Sequence, residues 1–209
     1  MTDDVKIGDG STVDPFVVLK NGTEIGRKCH IRSGARIGAE AFDFRVGDKG
    51  IERNQRFQSV IVEDGCDIGH NVVIQVGVEK NTRIGRFTLI NNLSNIGHDI
   101  TIGERCSVGL SCSMSGHSEL GDGTELSPGV TIINRAKLGR EVTVGIGSLV
   151  LHDVTDGDTI LGRPAVNIDR YKHERGVLRK LYGGYKPSRI VTNRRRLSKV
   201  LKRFLRRFF

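Results

Sequence analysis

Residues Ile84–Thr155 read IGRFTL INNLSN IGHDIT IGERCS VGLSCS MSGHSE LGDGTE LSPGVT IINRAK LGREVT VGIGSL VLHDVT and divide into blocks of six without remainder. An apolar residue opens each block. A small or β-branched residue sits fifth, from Thr88, Ser94 and Ile100 through Cys106 and Cys112 to Ser148 and Val154. A fixed short period of this kind marks a parallel β-helix, in which each block is one flat face and three blocks close a triangular coil. The opening residue points inward and stacks on its counterpart one coil away. Eighteen residues of sequence thereby become about 4.8 Å of space, the separation of neighbouring strands.

Working outward, Ile7, Val13, Leu19, Ile25, Ile31 and Ile37 open earlier blocks, and Val62, Ile68 and Ile74 open three more. Two breaks interrupt the count. One is the nineteen-residue stretch Asp43–Ile61, and the other is IQVGVEKNTR (Ile74–Arg83), where ten residues stand in place of six. Both are expected to project as loops, because a solenoid accepts insertions at its corners. The expected fold is all-β: a parallel β-helix over residues 5–166, with a loop insertion at 43–61 and a tail over 167–209. The 27 glycines suit a chain that turns a corner every six residues. Absence of tryptophan suits a core of stacked aliphatics. No apolar run of about 20 residues and no leader pattern is present, so a cytoplasmic protein is expected.

Charge is distributed unevenly. Fifteen of the 33 Lys/Arg residues, but only one of the 24 Asp/Glu (Glu174), lie from Arg170 onward. A mildly acidic prism therefore carries a strongly basic tail, which points to an anionic partner. From Asn193 the apolar residues Leu197, Val200, Leu201, Phe204, Leu205, Phe208 and Phe209 recur in steps of three and four, with Arg and Lys between them. This spacing predicts an amphipathic helix over 193–209 of the kind that lies on an anionic membrane surface. An acidic acyl carrier protein would be drawn to the same charge, and packing of the stripe on the prism or on another subunit is the alternative. Nucleic acid is not expected, because the stripe needs an apolar partner.

All four cysteines (Cys29, Cys66, Cys106, Cys112) fall fifth in their blocks. They read as the small residue that position takes. Among the histidines, His98 stands out. It is followed by Asp99, and Gly116 lies eighteen residues on, one coil beside it. A histidine next to a carboxylate can serve as a general base at neutral pH. An adjacent glycine lets a ligand approach the backbone, whose N–H can hold a developing oxyanion. The plain alternative is an exposed histidine with an acidic neighbour. A zinc site shared between subunits needs two histidines a few residues apart. The closest pair, His98 and His117, is nineteen apart, so no metal is expected.

The prism resembles the left-handed β-helix of the hexapeptide acyltransferases. From IGAEAFDF (Ile37–Phe44) through VTDGDTILGRP (Val154–Pro164) the chain is similar to the lipid A pathway N-acyltransferases, sharing the aromatic segment before a long insertion and the ten-residue block. INNLSNIGHDITIG (Ile90–Gly103) is closer to the sialic acid O-acetyltransferase and bacillosamine N-acetyltransferase branch. The resemblance implies that His98 is the general base, Asp99 its orienting partner, and Gly116 the residue whose amide binds the thioester carbonyl. It implies a coenzyme A site near LGRPAV, with Gly162, Pro164 and Ala165. Asn91, Asn92 and His117 are assigned to substrate. Phe42 and Phe44 either stack on a sugar or base or anchor the insertion. Two residues depart from the lipid A branch: Asn91 stands where that branch places an aspartate, and Arg135 where it carries a second histidine. The repeat starts at Ile7, which leaves no room for the N-terminal recognition domain of both branches.

Two functional classes follow. The first is an acyltransferase moving an acetyl or other acyl group from acetyl- or acyl-coenzyme A to an amino or hydroxyl group of a sugar or nucleotide sugar in surface-polysaccharide synthesis. It would act as a homotrimer, with acyl carrier protein as the alternative donor. The second is a non-catalytic β-helix scaffold, since fold does not fix function. A scaffold has no need of the His98–Asp99–Gly116 constellation.

Overall fold

The computed structural model describes residues 4–20, 22–48, 50–53, 57–162 and 164–181. Two compact units are present, Met1–His173 and Glu174–Phe209, and the prism lies in the first. Three sheets, of seven, nine and seven strands, form a β-solenoid of about eight turns with the architecture of a left-handed β-helix. The first face carries strands such as Thr82–Ile84, Thr101–Ile102 and Glu119–Leu120. The second carries Leu89–Ile90 and Ser107–Val108, and the third Val73–Gln75, Asn95–Ile96 and Ser113–Met114. Pairing is parallel, and block openings stack: Ile68 on Ile90 and Ile90 on Val108, Ile74 on Ile96 and Ile96 on Met114.

Each block contributes two strand residues, one outward and one inward. The inward Ile68, Ile74, Ile84, Ile90, Ile96 and Ile102 are fully buried. Complete burial of each such side chain contributes roughly 1.5–3 kcal/mol. The corner follows from the fourth residue, which takes a left-handed backbone: Phe87, Leu93, Asp99, Arg105, Ser111, His117, Arg135 and Glu141 all have φ between 54° and 67°. Outside glycine this conformation costs roughly 1–2 kcal/mol. The solenoid accepts that cost at corner after corner because it lets every flat face pair on both sides.

The prism closes across both interruptions, with Ile25 pairing Val62 and Val62 pairing Ile84. The first interruption is not a plain loop. Phe44–Gly47 and Gly50–Arg53 form an antiparallel hairpin within it, and the chain rejoins the first face at Val60, before the expected boundary at Ile61. At the far end, Thr159–Gly162 pairs with the second face and Ala165–Asn167 folds back on it antiparallel. An α-helix follows at Ile168–Leu181, where the sequence had shown only basic charge. The helix expected over 193–209 lies outside the described residues. No helix of the described residues is long and apolar enough to cross a membrane.

Candidate active site

The corner from the third face to the first holds both interruptions of the repeat. The first leaves it between Ala39 and Val60, the second between Gln75 and Thr82 one coil on, and Gly97–Asp99 and Ser115–His117 turn it in the two coils after that. His98 and Asp99 are the third and fourth residues of their block. Ile96 and Ile100, both fully buried, anchor that turn on either side. Asp99 takes the left-handed position with φ 57°, which an aspartate adopts more readily than most residues.

The Asp99 side chain is fully buried, and both of its oxygens meet hydrogen-bond donors. Its Oδ1 accepts the N–H groups of Lys80 (2.7 Å), Glu79 (2.8 Å) and Val78 (3.0 Å). Its Oδ2 lies 2.7 Å from His98 Nδ1 and 3.1 Å from the Val78 nitrogen. Burial alone would raise the carboxyl's pKa. The Lys80, Glu79 and Val78 amides and the His98 ring outweigh burial and hold it below the usual carboxylate range. Asp99 is therefore an anion that accepts from the His98 Nδ1–H, leaving Nε2 as the lone-pair nitrogen.

Nε2 lies over Gly116. A Cβ built on Gly116 would stand 2.5 Å from His98 Nε2 and 2.6 Å from its Cε1, so only glycine lets the ring lie there. Among the described residues the Gly116 N–H has no hydrogen-bond acceptor. His117, one coil beyond Asp99, sets its ring edge-to-face against His98 at 5.0 Å, with Nε2 3.8 Å from Asp99 Oδ2. Beside it opens a cleft of about 280 Å³ lined by Glu79, Lys80, His117, Glu119, Arg135 and Lys137.

Donor atoms of His98, Asp99 and His117 all lie within 4.8 Å of one another, a spacing that could hold a metal ion. Separation by nineteen residues is thus no argument against a shared site, because it is one coil in space. In the structure His98 Nδ1 and both Asp99 oxygens are engaged in hydrogen bonds.

Other expected site residues lie elsewhere within the chain. Asn91 and Asn92 turn the corner from the second face to the third, one corner before His98. There Asn91 Oδ1 accepts the Asn92 N–H at 2.7 Å and Asn92 Oδ1 the His70 N–H at 2.8 Å. Gly162, Pro164 and Ala165 belong to the closing hairpin at the C-terminal end of the prism. Phe42 and Phe44 pack edge-to-face at 4.9 Å on the same corner as His98, two coils before it, with Phe42 70% exposed. Residues 77–80, which hold Asp99, carry no side-chain signal of their own. The four surplus residues of the Ile74–Arg83 block were their mark in the sequence.

Residues 4–39 match the family described as bacterial transferase hexapeptide (six repeats). The chain is a hexapeptide-repeat protein. It is 30% identical over 157 residues to a UDP-3-O-acylglucosamine N-acyltransferase of Methylobacterium nodulans, covering 75% of this chain and 45% of that one. An enzyme of the same name from Pseudomonas syringae pv. tomato is 35% identical over 94 residues, 44% of this chain and 26% of the relative. The hexapeptide-repeat chain thus spans less than half the length of these relatives. Among solved structures it shares the fold of the UDP-N-acetylglucosamine acyltransferase from Campylobacter jejuni, with a TM-score of 0.72 at 21% identity over 87% of this chain and 75% of that one.

Proposed function

We propose that the protein is an acyltransferase that moves an acyl group from a coenzyme A thioester to an amino or hydroxyl group of a nucleotide sugar. One observation carries this reading: a buried, ionised Asp99 holds His98 with Nε2 free above the Gly116 amide. The acceptor N–H or O–H attacks the thioester carbonyl and gives its proton to Nε2. The Gly116 N–H receives the oxyanion, a contribution of about 2.7–4 kcal/mol for one good donor. Collapse breaks the C–S bond, and the proton on His98 passes to the leaving thiolate. Asp99 stabilises the imidazolium in between. The nucleotide-sugar acceptor is supported by the names of the relatives. The basic stretch from Arg170 favours acyl carrier protein as the second reading of the donor.

The proposed assembly is a homotrimer with sites at subunit clefts. Phe16 (89% exposed), Ile146 (70%), Phe87 (61%) and Leu93 (59%) stand at corners without cover among the described residues, as residues of an interface do. A cleft between copies would also bring a neighbour's Asn91 and Asn92 toward His98. A peripheral cytoplasmic location at an anionic membrane surface is proposed for the basic stretch. Co-sedimentation with anionic but not neutral vesicles, lost on truncation after Tyr185, is the expected result.

The deciding experiment measures free thiol release from acetyl- and longer acyl-coenzyme A against a panel of amino and nucleotide sugars. Acceptor-dependent release that disappears in His98→Ala supports the reading. Release that is equal in wild type and His98→Ala refutes it.

A further inference from the structure

The block Ile74–Arg83 is four residues longer than the repeat, and the surplus turns back over the site. Gly77–Lys80 lies on the same corner as Asp99, one coil before it, and sends three successive backbone N–H groups to one carboxylate. Such convergence requires a tight backbone turn. A Cβ on Gly77 would stand 1.5 Å from the Lys80 carbonyl oxygen and 3.2 Å from Asp99 Oδ1. Glycine is needed at 77 for this close approach, not for a left-handed backbone. The turn is fastened to the prism on both sides of Gly77. Val76 is fully buried, Val78 packs against the core, and the Gly77 carbonyl accepts the Gln58 N–H at 2.9 Å.

We propose that this surplus is a clamp on Asp99, with Gly77 as its positioning residue, and that the clamp fixes which nitrogen of His98 carries the proton. The inference rests on the reading of His98 as the base. The titratable groups facing Asp99 are His98 and His117. Lys80 and Glu79 reach it only through their backbones, and the Lys80 ammonium points to Glu119 at 3.4 Å. With three backbone N–H donors on its oxygens, Asp99 offers His98 an acceptor. Nδ1 must then carry the hydrogen and Nε2 the lone pair. A carboxylate left to rotate or to hydrate would hold neither ring orientation nor tautomer, and a mixed population of His98 would lower turnover without changing how substrates bind.

The test uses the full chain labelled with ¹⁵N-histidine. The downfield proton on Nδ1 of His98 is assigned by its loss in His98→Ala, and acyl transfer is measured in parallel. In Gly77→Ala, thermal unfolding stays cooperative, the Nδ1 proton signal is lost, and kcat falls by about 10-fold or more, part of the ~10²–10⁴ a positioned base supplies. The acceptor KM stays near wild type. Should Gly77→Ala fail to fold, Glu79→Pro removes one of the three N–H donors and is read the same way. Retention of the signal with wild-type kcat in a folded variant overturns the clamp. Wild-type turnover in His98→Ala overturns the base reading instead, and the Nδ1 signal in Gly77→Ala still decides whether the clamp exists.

Discussion

The two corners that flank the first face are turned by the same six-residue block and serve different ends. On the corner from the first face to the second, the blocks opened by Ile7, Ile25, Val62, Ile84, Ile102 and Leu120 each have a small donor in the fifth position, and each donates to a carbonyl one coil on; the block opened by Leu138 has Val142 there instead. Ser11 Oγ reaches Gly26 (2.7 Å), Cys29 Sγ Glu63 (3.1 Å), Cys66 Sγ Gly85 (3.2 Å), Thr88 Oγ1 Gly103 (2.8 Å), Cys106 Sγ Gly121 (3.2 Å) and Thr124 Oγ1 Gly139 (2.9 Å). This ladder satisfies six corner carbonyls. On the corner from the third face to the first, two insertions break the rhythm. There the Val78, Glu79 and Lys80 amides converge on the Asp99 carboxylate and the carboxylate on the His98 imidazole, beside fifth-position donors such as Ser118, whose Oγ donates to Ser115 within its own turn at 2.8 Å. The repeat builds a regular ladder where it is uninterrupted, and the interruptions mark the corner at which we propose that the chemistry takes place.

The comparison is broken most severely at His98. Its replacement in His98→Ala is expected to lower kcat by about 10²–10⁴-fold while the melting temperature stays near wild type, because the side chain packs on a glycine and not in the core. Steady-state kinetics and a thermal melt on the same sample check both halves. Asp99→Asn would, from sequence alone, cost less. With the geometry in hand the expected loss approaches that of His98→Ala. An amide NH₂ at the Oδ2 position faces Nδ1 and forces it to accept, which moves the ring proton to Nε2. An amide at the Oδ1 position meets three N–H donors instead. The same variant should respond differently to acid. The pKa of Asp99 is depressed by the fold. Its ionisation therefore favours the native state above the unfolded value of about 3.9, and that contribution is lost only as pH falls through the lower folded value. Acid denaturation of Asp99→Asn lacks this component and should be shallower, as circular dichroism against pH would record.

Much of this is legible in the sequence, and the reason is the period. A strict repeat converts sequence separation into spatial adjacency, so Ile68, Ile90 and Val108 could be stacked on paper, and so could His98 with Gly116. The same arithmetic, applied to corners instead of coils, would have placed Asn91 and Asn92. They are the second and third residues of their block and so turn the corner before that of His98. The hairpin Phe44–Arg53 lay inside a stretch the period does not govern. The clamp at Gly77–Lys80 was silent for a deeper reason: its chemistry is three backbone N–H groups, which every residue but proline possesses. Only the length of the block betrayed it.

A smaller effect is expected at the mouth of the first insertion. Phe42 and Phe44 pack on each other on the corner that carries His98, and Phe42 is largely open to solvent. If they bind the acceptor's base or sugar, Phe42→Ala raises the acceptor KM by about 2- to 10-fold, the equivalent of the roughly 0.5–1.5 kcal/mol of an aromatic pair, and leaves kcat alone. An unchanged KM with a lowered melting temperature would assign them to anchoring the insertion.

The smallest effect belongs to the quiet corner, and it tests whether that corner is only structural. Cys106 is buried on that corner and donates its thiol to the Gly121 carbonyl at 3.2 Å. Burial raises its pKa despite the nearby Thr124 and Gly123 amides, so it remains a thiol with a proton to donate. It stands between Thr88 and Thr124, which make the same contact to the next coil with an oxygen. Cys106→Thr therefore keeps the donor and takes on the branched shape its neighbours Thr88 and Thr124 already show to fit. Its unfolding free energy should stay within about 0.5 kcal/mol of wild type, with kcat and KM unchanged. Cys106→Val takes the same branched shape as Cys106→Thr but removes the donor from the Gly121 carbonyl, at a cost of about 0.5–1.5 kcal/mol, again without effect on turnover. Denaturant titrations of the two variants beside their kinetics give the answer. A fall in kcat in Cys106→Thr would mean that the two corners are coupled through the core, and that the division between a structural edge and a chemical one does not hold.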